Sequence, residues 1–252
     1  MTQNLPLKKA FLVNAVLTAL ALAGCVAKPL TPEQSQKVDV VSAVSLLGND
    51  FHIDALSRPL LRHSEKSLDV SAWKIDDTFR DLLREGSVSR GKEFRVLNLD
   101  PVAVEKIQKS RENRWKKVLG KQNQALMELL FRQAEAQGVP YFFLLTNLEN
   151  PERFPLHQGP AGVFCNDQDP KNARASVYFS FDFSLWDVAK KKKVFEQVVD
   201  PSVTEVMTFG DCKIIAALAD PETQLEDPVK KTMGLLVDAL LDKMGWKKPG
   251  QP

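Results

Sequence analysis

The chain has little of what enzymes use to announce their chemistry. Its three histidines, His52, His63 and His157, stand in no spacing that binds zinc. No Gly-x-Ser-x-Gly elbow presents a nucleophile, and no glycine-rich loop offers backbone N–H groups to a phosphate. Cysteine is down to three residues, Cys25, Cys165 and Cys212, without the spacing of a metal site or a redox pair. Beyond Cys25 no apolar run reaches the ~20 residues that a membrane-crossing helix needs. The net charge is only +2, so no overall field favours nucleic acid or another polyanion. These gaps leave no constellation of nucleophile, base and orienter, and they imply neither a cofactor nor a metal.

What is present begins at the amino terminus. Lys8 and Lys9 precede an apolar segment, Ala10 to Ala23, broken only by Asn14 and Thr18. A positive start, a short apolar core and small residues at its end describe a secretory signal rather than a membrane span. The segment has no polar face, which excludes an amphipathic helix packed on a core. The string Leu22, Ala23, Gly24, Cys25 resembles the lipobox of bacterial lipoproteins. That resemblance implies cleavage before Cys25, a diacylglycerol on its thiol and an acyl chain such as palmitate on the new amino group. Three chains exceed the two signals that stable anchoring requires. With Val26 rather than Asp after the cysteine, it also implies the outer membrane as destination, with the domain facing the periplasm.

Removing residues 1–24 as a signal leaves 228 of the 252 residues and takes away two lysines, so 32 basic residues face 32 acidic ones. The exported chain is formally neutral. At 44% apolar and 26% charged it has the composition of a globular protein. Residues 25–37 read as the lipidated cysteine and an extended tether. Ala27 to Lys37 is polar, holds two prolines and lacks any period, with a reach of about 35 Å. Residues 38–246 read as one domain and 247–252 as a frayed tail. In an oxidising compartment Cys165 and Cys212 are disulfide candidates, worth roughly 4 kcal/mol in the chain-entropy view. Two separate buried thiols remain the alternative at this level.

Val38 to Leu47 alternates and is followed, after Gly48, Asn49 and Asp50, by Phe51 to Leu56, which predicts a hairpin. Ser67 to Trp73 predicts another short strand. Asp76 and Asp77 predict the N-cap of a helix through Phe79, Leu82 and Leu83 that stops at Gly86. Lys92 to Leu99 predicts a strand, and Pro101 to Gln137 a long helix. Val139 to Leu145 is apolar throughout, as in a strand buried on both faces. Asn147 to Arg174 reads as irregular. Val177, Phe179, Phe181, Phe183 and Leu185 keep a strict period of two, and Val194 to Val199 pairs back across a turn at Lys190 to Lys193. A last helix is predicted from about Asp227, near Pro228, to Met244. Strands interleaved with helices predict an α/β (α+β) fold, a mixed sheet with helices packed against it.

The hairpin from Phe179 to Gln197, with Leu185, Asp187, Lys190 and Phe195 at its key places, resembles that of periplasmic α/β domains. The group includes the curli-secretion lipoprotein, the lipoprotein activators of peptidoglycan synthases, and the amino-terminal domain of the Tol-Pal propeller protein. The turn glycine usual in that hairpin is absent here. The resemblance implies a fold and leaves the activity open.

His52 and Asp54 share one face of a predicted strand, where a solvated face is the plainer reading than a metal site. Asp76 and Asp77 are explained by helix capping before glycoside hydrolysis. Lys106, Lys109, Arg111, Arg114, Lys116, Lys117 and Lys121 crowd one helical stretch, a candidate interaction patch beside the plainer reading of a solvated face. Three functions stay in competition. The first is a lipid-anchored envelope accessory that binds a protein partner and catalyses nothing. The second is a hydrolase of cell-wall glycan or peptide, and the third a binder of lipid or glycan. The anchor, the tether and the folded surface favour the first.

Overall fold

A computed structural model describes residues 28–57, 62–100, 102, 104–105, 121–148, 159–167, 174–200, 208–210, 212, 215 and 218–250. Strand β1 (Val40–Leu46) is the second strand of a five-stranded mixed sheet. It runs parallel to β4 (Glu93–Phe94) on one side and to β5 (Tyr141–Asn147) on the other. Next come β8 (Phe181–Asp187) and β9 (Lys192–Val199), each antiparallel to its neighbour. In a second sheet β2 (Asp50–Ser57) lies between β3 (Arg62–Asp69) and β6 (Ala161–Asp167), while β7 (Arg174–Phe179) joins β6 to β10 (Thr208–Gly210). The order of that sheet is β10-β7-β6-β2-β3.

Both faces of the first sheet are covered, and the alternation of β1 and β5 shows how. Val41, Ala43, Phe143 and Leu145 face a core shared with the second sheet, α2 (Ile75–Val88) and α4 (Pro221–Lys243). Val44, Leu46, Phe142 and Leu144 face α3 (Lys121–Ala136) through Leu126, Leu130, Phe131 and Ala134. The unbroken apolar run of β5 follows from this double burial.

The α/β class and the doubly buried β5 stand as expected, but several local expectations are corrected. The first predicted hairpin does not form: β1 and β2 belong to different sheets, and the turn at Gly48 carries the chain from one to the other. The single long period-two strand is two strands, with Ser180 at the passage between sheets and its N–H donating to Pro160 O at 2.8 Å. An extended chain keeps its alternation through such a passage, so Phe179, Phe181 and Phe183 all enter one core with no exposure. Strand β6 lies inside the stretch expected to be irregular. Lys92 to Leu99 contributes only Glu93–Phe94 as strand.

Helix α2 is capped by Lys74, in the left-handed region at φ 50°, rather than by Asp76 or Asp77, which sit in its first turn. The helix continues through Gly86 because α4 crosses there. A Cβ on Gly86 would lie 2.6 Å from Leu241 Cδ1. Helix α4 starts six residues before its predicted start, with Asp220 accepting from Thr223 N–H at 3.2 Å and Pro221 in its first turn. Pro228 therefore lies inside it. An internal proline removes one helical bond. The apolar stripe Leu225, Val229, Met233, Leu236 and Val237 carries α4 across that gap.

The stretch expected to be an extended tether is folded from Leu30 onward. Leu30 is buried, its N–H donating to Met244 O at 3.1 Å. Pro32–Lys37 forms a short helix, α1, closed by a capping box in which Gln34 N–H donates to Thr31 Oγ1. At the other terminus Trp246 is buried, and Lys248 Nζ donates to Asp238 Oδ2 at 2.7 Å, so the predicted tail is tied down at least to there. The disulfide forms as expected, joining Cys165 of β6 to Cys212 beyond β10 with 5.4 Å between their Cα atoms.

Candidate functional site

Strand direction collects the first and last described segments, around Leu30 and Met244, at one pole of the first sheet. β1, β4 and β5 are parallel and start there, with Val40 opposite Glu93 and Val41 opposite Tyr141. Asp187 opposes Tyr141 and Lys192 opposes Asp187, so the β8–β9 turn lies at the same pole. Helices α2 and α3 end there because each leads into a strand that starts there. Helix α4 ends there through the bond from Leu30 N–H to Met244 O.

Arg90, just past α2, holds this pole together. Its guanidinium has no exposure. Nε donates to Trp246 O at 2.9 Å, Nη1 to Gly86 O and to Asp238 Oδ1, both at 3.1 Å, and Nη2 to Asp242 Oδ1 at 2.7 Å. Beside it Lys92 Nζ donates to Ser35 O at 2.8 Å and lies 5.2 Å from the centre of the Trp246 ring. Burial pushes the Lys92 ammonium below the usual lysine range, with Asp39 pulling it back. These contacts clamp α1, α2 and α4 to one another.

Two partly buried carboxylates at this pole are held below their ordinary range, as is exposed Glu33 through its hydrogen bond from Lys37. For Asp238 burial alone would raise the pKa, but hydrogen bonds from Lys248 and Arg90 outweigh it. For Asp187 burial again opposes, and bonds from the side chain and the backbone of Lys190 win. A folded pKa below the unfolded one adds stability above the unfolded value of 3.8, and that stability is lost as pH falls through the folded pKa. Urea midpoints should therefore fall on acidification below about pH 4, and less steeply in Asp238→Asn, which removes one of the linked protons. Parallel slopes for the two proteins would contradict the assignment to Asp238.

Charge is segregated between the poles. Residues 28–39, 90–95, 187–193 and 238–250 meet at the clamped pole and contain twelve lysines and arginines against six acids. At the opposite pole the end of β1 meets the starts of α2 and α4. The Asp76 carboxylate accepts from Leu47 N–H at 2.9 Å and Gly48 N–H at 3.2 Å, and Trp73 Nε1 donates to Glu222 O at 2.9 Å. Residues 47–50, 69–77 and 218–227 there contain eight acids against one lysine. Acids in the first turns of α2 and α4 and Lys243 in the last turn of α4 suit the helix dipoles. The lysines of the β8–β9 turn cap no helix. In that turn Lys191, not a glycine, takes the left-handed backbone at φ 50°.

On β2 the expected solvated face of His52 and Asp54 is buried at Asp54, while His52 is half-buried. Asp54 has no exposure, and Tyr178 Oη donates to its Oδ2 at 2.7 Å from β7, across the intervening β6. Gly162 on β6 permits that reach. A Cβ there would lie 2.5 Å from Tyr178 Oη and 2.4 Å from His52 O. His52 Nδ1 is 3.0 Å from Glu65 Oε1 of β3. Among the described residues no group of three or more His, Cys, Asp or Glu could hold a metal. Asp76, besides meeting β1, serves no paired-carboxylate site with Asp77, which pairs with Arg80.

Cys25, Lys106, Lys109, Arg111, Arg114, Lys116, Lys117 and His157 lie outside the described residues. Lys121 opens α3, and His63 lies on β3. Sequence reasoning passed over Arg90, Tyr178, Glu65 and Trp246. Only Trp246, an apolar residue set before Lys247 and Lys248, carried a sequence signal of its burial.

No protein-family model matches this chain, and no curated protein matches it. Among solved structures it is similar to a chain of a PelC dodecamer from Paraburkholderia phytofirmans, at a TM-score of 0.34 and 8% identity. The match covers 89% of this chain and 94% of that one.

Proposed function

We propose that this protein is a lipid-anchored accessory of the bacterial envelope, attached through Cys25 to the outer membrane, which works by binding another envelope protein and carries out no catalysis. The observation that carries the reading is how the three cysteines are used. One ends an apolar signal-like segment in a lipobox-like string, and the other two are joined to each other, as suits an oxidising compartment. The cluster Lys106, Lys109, Arg111, Arg114, Lys117 and Lys121 is the proposed contact for the partner.

One experiment in cells tests both halves. Labelled palmitate should enter the wild-type chain and not Cys25→Ser, and crosslinking should capture a partner that Arg111→Glu, Arg114→Glu and Lys117→Glu together release. Exposed charges contribute little to folding, so the triple variant should keep its melting temperature. Palmitate in Cys25→Ser would end the anchor. A turnover activity lost on changing one carboxylate would end the binding reading.

A further inference from the structure

We propose that the basic pole of the fold is a lipid-facing surface, docked on the anionic headgroups of the bilayer that holds the anchor. The proposal rests on the anchored reading and adds an orientation to it. The first support is chain length. Leu30 is fixed to Met244, and only four residues lie between it and Cys25, so the five Cα-to-Cα steps reach about 17 Å. The pole that holds Leu30 therefore cannot move far from an acyl chain on Cys25, while the acidic pole lies a helix length away. Helix α4 has 23 residues, about 35 Å end to end.

The second support is charge complementarity. Lys28, Lys190, Lys192 and Lys247 are exposed at this pole, on a chain that is neutral once residues 1–24 are gone. Asp187, Glu135 and Glu196 answer Lys190, Lys191 and Lys193, yet with Glu135 and Glu196 added to the pole's six acids twelve bases still face eight. Helix dipoles explain Lys243 at the end of α4, but not the four consecutive lysines Lys190 to Lys193, two in the β8–β9 turn and two at the start of β9. A basic surface beside an anchor adds electrostatic attraction that acts within a Debye length of the headgroups. The acidic pole is turned away from the same surface and reinforces the orientation.

The test uses a chain starting at residue 25 with Cys25→Ala, which keeps the whole described fold and has no acyl group. The probe is sedimentation with phosphatidylcholine vesicles, with and without phosphatidylglycerol. Partition into the anionic vesicles should be about tenfold higher or more, fall at high salt, and vanish in Lys28→Glu, Lys192→Glu, Lys247→Glu with an unchanged urea midpoint. Glu222→Lys with Asp227→Lys, at the other pole, should lower nothing. Equal partition into both vesicles would overturn the proposal. So would low-salt self-association without anionic-lipid binding, which would seat the basic pole on the acidic pole of a second copy. Palmitate labelling is read independently, so either result leaves the anchor itself separately judged.

Discussion

Phe79→Ala should lower stability by about 4 kcal/mol, near the middle of the range for a fully buried phenylalanine. Phe79 has no exposure and stands edge-to-face on two rings, Phe179 at 5.7 Å and Phe181 at 5.3 Å. Those rings belong to β7 and β8, one in each sheet, on either side of Ser180. The side chain therefore joins α2 to the point where the chain passes between sheets. The cavity left by truncation opens at the junction of three elements, where no single one can collapse into it. For a chain of this size the melting temperature should fall by roughly 8–16 °C, read by thermal melts with urea unfolding as a second measure. Val88→Ala, on the exposed side of the same helix, should stay within about 0.5 kcal/mol of wild type. A loss under about 2 kcal/mol for Phe79→Ala, below the range for such truncations, would mean that the two sheets do not share this core.

Arg90→Ala should cost about 3 kcal/mol, the low end for breaking a buried ion pair. The low end applies because Asp238 and Asp242 are each 40% exposed and regain water when the guanidinium leaves. Trp246 O and Gly86 O lose a donor inside the protein, and such losses account for most of the effect. Arg90→Lys should recover little, because one ammonium cannot reach carbonyls and carboxylates that diverge around a planar fork. Hydrogen exchange should rise at Leu30 to Lys37 and Met244 to Lys248, which Arg90 and Lys92 clamp together, before it rises in the sheet centre. Uniform loosening of all elements would contradict the clamp.

How legible each element was depended on how local its causes are. Strand β5 is plain from sequence because burial on both faces leaves its central residues nothing polar to choose. The β8–β9 hairpin is plain because its strands are neighbours in the chain and its turn is charged. Strand β6 was missed because Ala161 and Gly162 carry no alternation, and Gly162 is there for the ring of Tyr178, which arrives from another strand. The predicted hairpin of β1 and β2 failed because two alternating runs around Gly48 look alike whether they pair or part. Helix α4 began earlier than predicted because Pro228 reads locally as a start, whereas burial along its whole stripe overrides the bond it deletes.

The sequence by itself determined the properties that depend on neighbours along the chain. These are the α/β class, the alternation from Val177 to Leu185, the two cysteines available for pairing, and the lipobox-like string that ends the apolar segment. Tertiary structure alone decided which runs share a sheet, that Asp54 is buried under Tyr178, that Arg90 is a clamp, and that a chain of net charge only +2 is basic at one pole and acidic at the other. Composition sums charge without position. Only the parallel course of β1, β4 and β5, with Leu30 and Met244 brought to their starts, gives that charge a direction.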